Sequence, residues 1–332
     1  MTQKTLLITG GTWYIGSHAV IAFELAGYRT VIIDSLVNSS RDTLSGIAQI
    51  LGYTPDFYEG DICDRVFLTS IFERYSFDGV VHFAGLKAVG ESCSEPLLYH
   101  ANNVGGSITL FEIMEAYRVK NIIFSSSATV YRSDNIPPFT EDMPLGTTNP
   151  YGTTKLVIEY LLRDLATQRW WSVTALRYFN PIWAHPSWYI GETPSGIPNN
   201  LLPYLLDVAV WKRDTLNVYG DDYDTVDGTG VRDYIDVCDL VDAHVLAYEK
   251  LEEQYQVMNI GTGKGTSVLE MVSCLEGILG RDIPYTICPR RPGDIASVYC
   301  DPARAKEKLG WTAHTSIRES IAHSWNYICL EK

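Results

Sequence analysis

Thr5-Leu6-Leu7-Ile8-Thr9-Gly10-Gly11-Thr12-Trp13-Tyr14-Ile15-Gly16 opens the chain with a short apolar strand that runs straight into a glycine-rich turn. Behind the turn, Ser17–Gly27 has helical periodicity, and a second apolar run, Thr30–Ile33, ends on Asp34. Strand, glycines, helix, strand and acid in that order read as a βαβ unit that binds a dinucleotide. Glycines at such a turn let the backbone approach a pyrophosphate at the helix N-terminus. Asp34 is placed to accept from a ribose hydroxyl, and its charge repels a 2′-phosphate, which favours NAD over NADP. The middle position of the turn is Trp13 rather than glycine. An indole there is expected to block the pyrophosphate or to push the loop aside.

Outward from this unit the same alternation continues. Apolar runs at Gly79–Phe83, Asn121–Ser125 and Val173–Tyr178 are separated by helix-like stretches at Val66–Tyr75, Asn103–Tyr117 and Tyr151–Thr167. Alternating strand and helix predicts an α/β fold with a Rossmann-like, doubly wound parallel sheet whose strand ends share one edge. After about residue 180 the texture changes. Residues 180–200 read as a long loop rich in Pro, Gly, Trp and His, followed by helical Leu201–Lys212 and a further αβ mixture. The expected division is an NAD-binding domain over residues 1–180 and a smaller α/β substrate lobe over 181–332, some of whose segments pack back on the first. Gly261–Thr266 (GTGKGT) lacks phosphate-loop spacing and reads as a loop after the strand Val257–Ile260.

A net charge of −14 argues against nucleic-acid or anionic-membrane partners, although arginines inside a cleft can still hold an anionic small molecule. Seven widely spaced cysteines without a CxxC point to a reducing compartment and to no metal site. With no secretory core at the N-terminus and no apolar run of spanning length, the expectation is a cytoplasmic protein.

Besides the glycine turn with Asp34, two further groups of residues can carry chemistry. Tyr151 and Lys155 stand four apart on a helix and so project from one face. With Ser127 in the strand-end run Ser125-Ser126-Ser127-Ala128-Thr129, they suit removal of a hydroxyl proton as hydride leaves the same carbon. A nearby ammonium and a cationic nicotinamide are expected to lower the tyrosine pKa. The third group lies in the second lobe: Asn180, Asn199, Asn200, Arg232, Arg290, Arg291 and Asp294, where arginines grip a diphosphate and amides read a ring or sugar. His18 and His82 read as structural, and His185 has no assignable partner.

The runs HFAGLKAVGES (82–92), SSSATVY (125–131), LRYFNP (176–181), GIPNN (196–200) and DGTGVRDYI (227–235) resemble those of UDP-glucose 4-epimerases, in the extended short-chain dehydrogenase/reductase superfamily. That resemblance implies interconversion of UDP-glucose and UDP-galactose at sugar C4 through a 4-keto intermediate, with tightly held NAD and a homodimer. It implies catalysis by Ser127, Tyr151 and Lys155. The cofactor would be lined by Gly10, Trp13, Tyr14, Ile15, Gly16, Asp34, Asn38, Asp61, Ile62, Phe83, Ala84, Gly85, Lys87, Asn102, Ser125 and Tyr178. The UDP-sugar would meet Lys87, Phe179, Asn180, Asn199, Asn200, Leu201, Tyr219, Arg232, Arg291, Asp294 and Val298. Val298 fills the position governing room for a 2-acetamido group, and its small size implies tolerance of UDP-N-acetylhexosamines.

Related 4,6-dehydratases carry an acidic pair after the threonine of the active-site strand, whereas here Val130-Tyr131 follow Thr129, which disfavours dehydration. The chain also departs from the epimerase pattern. Trp13, Arg132, Trp183, Trp188 and Trp211 stand where the family has glycine. The alternative to an active epimerase is therefore a homologue that binds NAD or UDP-sugar without turnover.

Overall fold

The structure, a computed structural model, describes residues 3–182, 184–192, 196, 198, 200–291 and 293–330. The chain begins with β1 Thr5–Thr9, α1 Tyr14–Leu25, β2 Arg29–Asp34, α2 Asp42–Leu51, β3 Asp56–Glu59, α3 Arg65–Arg74 and β4 Gly79–His82. It continues through α4 Val89–Ser94, α5 Pro96–Tyr99, a π-helical turn His100–Gly105, α6 Gly106–Ala116, β5 Asn121–Ser127, α7 Pro150–Arg169 and β6 Ser172–Tyr178. The second part contains β7 Asn180–Ile182, α8 Leu201–Ala209, β8 Leu216–Tyr219, β9 Val231–Arg232, β10 Tyr234–Asp236, α9 Val237–Glu249 and β11 Tyr255–Ile260. It ends with β12 Thr266–Ser267, α10 Val268–Leu279, β13 Tyr285–Cys288, β14 Ser297–Val298, α11 Ala303–Leu309 and α12 Ile317–Leu330.

Seven strands form one sheet in the order β11-β6-β5-β4-β1-β2-β3, every pair parallel. Parallel strands need crossovers, and the helices between them cover both faces. The two-residue period of β1 shows this directly. Leu6 and Ile8 join one core cluster with helices α1 and α9, while Leu7 joins the other with α3, α6 and α7. From β1 the chain winds outward through β2 and β3, then crosses back to β4 on the other side. The crevice between the C-terminal ends of β1 and β4 is thus a topological switch point, where open α/β sheets take ligands. The strand β11 comes from the second part of the chain and adds to β6 at the sheet edge.

A separate apolar cluster of α8, α10 and α12 residues, with Leu202, Leu205, Met271, Leu275 and Ile321 at its centre, supports the smaller sheets. Among the described residues no helix is long and apolar enough to cross a membrane.

The structure departs from the sequence reading at several elements, among them β7 Asn180–Ile182, which lies inside the stretch expected to be a loop. The edge strand β3 was not expected, because Asp56-Phe57-Tyr58-Glu59 is charged at both ends and only half-buried. The helix α1 starts at Tyr14 rather than Ser17, so the glycine turn is shorter and Trp13 becomes its N-cap. The helix α6 starts at Gly106, after the π-helical turn, instead of at Asn103.

Of the described residues standing where the resemblance has glycine, two adopt the left-handed conformation: Trp188 at φ 64° and Trp211 at φ 63°. Only glycine reaches that region freely, and an L side chain there costs about 1–2 kcal/mol. The Arg281 guanidinium over the Trp211 ring, 4.6 Å from its centroid, offsets part of that cost. Arg132 stays outside this region, and its guanidinium pairs with Asp134 at the surface. Trp183 lies outside the described residues.

Candidate active site

The turn after β1 keeps the course the glycines dictate. Gly10 has φ +71°, and a Cβ on it would stand 2.8 Å from the Ala84 nitrogen. A Cβ on Gly16 would stand 2.1 Å from the Gly10 carbonyl oxygen, so α1 can approach β1 only without one. Trp13, by contrast, has φ −79° and ψ 165°, ordinary extended backbone. The tryptophan thus introduces no left-handed backbone strain at this position. The indole is half-buried against the α1 core, with the Lys87 ammonium 4.4 Å from its ring centroid. As N-cap, Trp13 makes no side-chain hydrogen bond, which leaves the first-turn N–H groups of Tyr14, Ile15 and Gly16 for an anion.

Asp34 ends β2 beside this turn. It accepts from the Thr12 N–H at 3.1 Å, the Leu36 N–H at 2.9 Å and the Ser39 hydroxyl at 2.9 Å. Such a fixed carboxylate retains lone-pair capacity for a ribose hydroxyl. Asn38 is exposed in the following turn, and Asp61 caps its own turn by accepting from the Cys63 N–H at 2.8 Å. Ile62 is buried against Gly106, and Phe83, Ala84 and Gly85 form the partly buried segment after β4. The Asn102 amide donates to Asn103 at 2.9 Å. A glycine cradle, an uncapped helix start and a fixed ribose acid fit a dinucleotide.

Ser127 closes β5, and α7 carries Tyr151 and Lys155 across its end. Asn149 caps α7 by accepting from the Gly152 N–H at 2.8 Å, and Pro150 occupies the first turn, where its missing N–H costs nothing. The Lys155 ammonium donates to the Ser125 carbonyl at 2.7 Å and stands 5.8 Å from the Tyr151 ring centroid. Burial pushes the Tyr151 phenol up to about 12, while a hydrogen bond with Ser127 acts in the other direction. Burial also lowers Lys155 to about 8. In the protein alone burial is the larger influence on the phenol, which raises it. The Ser127 hydroxyl accepts from the Thr129 N–H at 3.2 Å and hydroxyl at 3.0 Å.

Among the UDP-sugar candidates of the second lobe, Arg232 lies on β9 and Val298 on β14. Arg232 donates to Asp294 at 2.6 Å, and Arg291 reaches the other oxygen of that carboxylate at 3.3 Å. The Arg291 guanidinium lies over the Tyr219 ring at 4.8 Å. Val298 pairs in register with Arg232 and packs against the cluster containing Phe179 and Phe139. Asn180 begins β7 at the end of β6, and Asn200 and Leu201 start α8. Asn199 lies outside the described residues.

Other side chains that hold the site were not singled out from sequence. The Asn103 amide accepts from the Leu86 N–H at 2.8 Å and donates to the Leu86 carbonyl at 2.9 Å and Thr154 at 3.1 Å. It thereby ties the loop after β4 to α7. Glu159 of α7 accepts from Ser126 and from both forks of buried Arg177 at 2.9 and 2.7 Å, which fixes α7 against β5 and β6. Glu192 accepts from Lys87 at 3.3 Å and from Asn200 at 2.9 Å. None of these pairings has a local sequence signal, since the partners are far apart along the chain.

The histidines read as structural behave so. His82 bridges Thr9 and Ser107 at 2.7 and 2.9 Å, and burial lowers its pKa to about 3. His18 bonds the Tyr14 carbonyl one turn back, and His185 pairs with Ser187. The GTGKGT loop wraps a carboxylate of its own chain: buried Asp233 accepts from the Thr262 N–H at 2.8 Å, its hydroxyl at 2.6 Å and the Gly263 N–H at 3.0 Å.

Residues 7–324 match the family model described as GDP-mannose 4,6 dehydratase. The chain is 52% identical to the UDP-glucose 4-epimerase of Bacillus subtilis (strain 168), over 97% of this chain and 96% of that one. Its fold is similar to the UDP-glucose 4-epimerase of Stenotrophomonas maltophila with bound NAD and formylated UDP-arabinopyranose, with TM-score 0.97 and 43% identity over 99% of both chains. The Bifidobacterium longum UDP-glucose 4-epimerase in complex with NAD+ and UDP gives TM-score 0.95 and 46% identity over 98% of both chains. The Val130-Tyr131 pair sides with the epimerases. Val130 is buried, and the Tyr131 hydroxyl donates to Asn259 at 2.6 Å, so no acid follows Thr129.

Proposed function

The chain belongs to the UDP-glucose 4-epimerase family, within the extended short-chain dehydrogenases/reductases, and on that premise we propose how its residues interconvert UDP-glucose and UDP-galactose. It is an NAD-dependent isomerase acting at sugar C4. The observation that carries the residue assignment is the meeting of Ser127, Tyr151 and Lys155 at the C-terminal end of β5, beside the switch-point crevice.

In this reading the first-turn N–H groups of α1, with Gly10 and Gly16, hold the dinucleotide pyrophosphate, and Asp34 holds a ribose. Asn38, Asp61, Ile62, Phe83–Gly85, Lys87, Asn102, Ser125 and Tyr178 line the rest. NAD supplies the acceptor and donor of hydride at C4. Tyr151 takes the proton of the sugar 4-hydroxyl and later returns it, and Ser127 hydrogen-bonds the same oxygen. Lys155 holds the nicotinamide ribose and adds positive charge beside the phenol. Between the two transfers the 4-ketose turns over, so its other face receives the hydride and no net redox results. Arg232 and Arg291, released from sharing Asp294, grip the UDP diphosphate, and Asn180, Asn200, Leu201 and Tyr219 meet the nucleotide and sugar.

Residues 1–180 with the added strand β11 would hold NAD, and the remainder of 181–332 the UDP-sugar. The chain would act as a cytoplasmic homodimer. Leu97, Leu98, Ile108 and Tyr160, exposed on α5, α6 and α7, support a face for a second copy. A monomeric sedimentation coefficient would count against it.

The small Val298 side chain beside Phe179 supports room for a 2-acetamido group on the sugar. Purified protein should release NAD on denaturation and convert both UDP-galactose and UDP-N-acetylglucosamine. Val298→Tyr should keep the first activity and lose the second by at least about tenfold. Turnover of UDP-galactose alone by the unaltered protein sinks the acetamido reading. NAD or UDP-sugar bound without any turnover supports the alternative of a homologue that binds and does not catalyse.

A further inference from the structure

Glu192 has no part in the reaction as described above, yet it bonds one residue from each nucleotide side. Its carboxylate is almost fully buried, with side-chain exposure of 7%, and one oxygen accepts from both Lys87 at 3.3 Å and Asn200 at 2.9 Å. Lys87 belongs to the loop after β4, which Asn103 fixes through Leu86. Its ammonium is held from a second direction by the Trp13 ring face, a cation–π contact. Asn200 is the N-cap of α8 in the other lobe. Trp13, Lys87, Glu192 and Asn200 thus make an unbroken line from the dinucleotide turn to the UDP-sugar side.

The segment bearing Glu192 is itself wedged between the lobes. An antiparallel bridge between Ala184 and Gly191 closes it. On one side the Tyr189 carbonyl presses so closely on Gly46 of α2 that a Cβ there would lie 2.4 Å away. On the other, Gly191 abuts Tyr327 of α12. A carboxylate so held cannot follow one partner without disturbing the other.

We propose that Glu192 is a positioning residue that couples the two nucleotide sites, tying Lys87 on the dinucleotide side to Asn200 on the UDP-sugar side. This rests on the functional reading above. An arriving diphosphate competes with Glu192 for the Lys87 ammonium, and the carboxylate settles on Asn200, which orients that amide for the second ligand. What one ligand orders the other need not, so each strengthens the other by the same factor.

The test uses the protein as purified with its bound NAD, and measures how fast NAD is lost with and without saturating UDP. For the unaltered protein UDP should slow the loss about tenfold. In Glu192→Ala the two rates should agree within about twofold, and Glu192→Gln, which keeps an acceptor oxygen, should retain an intermediate effect. Unfolding midpoints near that of the parent show that the variants fold, so the lost coupling is not a lost structure. Full coupling in folded Glu192→Ala overturns the proposal, as does NAD loss in the parent that ignores UDP while UDP binds. A parent protein that holds neither NAD nor UDP overturns the functional reading instead.

Discussion

Tyr151→Phe should leave a folded protein that still carries NAD but turns over UDP-galactose about 10²- to 10⁴-fold more slowly, the usual worth of a positioned proton-transfer group. The phenol's one bond to the sheet, with Ser127, is not what holds α7 in place. That work falls to the Asn149 cap, to Lys155 on the Ser125 carbonyl and to Glu159. Turnover near that of the parent would remove Tyr151 from the proton path. The same variant isolates a pH effect. Burial holds the phenol up at about 12 in the protein alone, so at neutral pH it is protonated, while Lys155 at about 8 remains mostly an ammonium. A further cation beside the phenol favours its anion and lowers the pKa. Phenolate absorbance should therefore rise at lower pH in NAD-loaded than in stripped protein, and Tyr151→Phe should abolish the difference. A titration unmoved by NAD would show that the cofactor does not ionise this group.

Arg177→Met is expected to cost about 3–5 kcal/mol of stability, the largest effect foreseen away from the reacting groups. Arg177 and Glu159 are both almost wholly buried, with side-chain exposures of 3% and 2%. The guanidinium also donates to the Tyr131 hydroxyl at 3.0 Å and the Glu141 carbonyl at 3.3 Å. Its loss leaves the Glu159 carboxylate in the interior with Ser126 and Tyr255 as partners and no balancing charge. A denaturant midpoint that falls with unchanged slope reads the loss as stability. Arg177→Met with Glu159→Leu should recover most of it, because removing both charges also removes the burial penalty. A double variant as unstable as the single one would locate the cost in the packing and not in the stranded carboxylate.

Sequence made the centre of the sheet legible because the signal there is local. The strands β1, β2, β4, β5 and β6 are buried on both faces and so appear as apolar runs. The edge strand β3 needs only Phe57 and Tyr58 to attach, and two charged ends concealed it. The Tyr151–Lys155 spacing could be read from helical geometry alone. The position of the Trp13 indole could not, since it depends on Lys87 from a loop after another strand. The same holds for Asn103, Arg177–Glu159 and Glu192, each of which joins residues separated along the chain. Arg177 illustrates the limit well. It is the one charged residue of a buried strand, a mark of importance, but nothing nearby names the acid that answers it.

The strand β11 also sets a timetable for the nascent chain. The strand β6 has emerged by Tyr178, yet the neighbour that covers its outer edge is not finished until Ile260. At about 5–20 residues per second on the ribosome, that interval lasts roughly 4–16 s. Throughout it a strand that is wholly buried in the finished protein offers unpaired N–H and C=O groups to any passing chain. Translation speed over the segment between these strands, and the chaperones that wait there, should therefore govern how much of this protein survives synthesis.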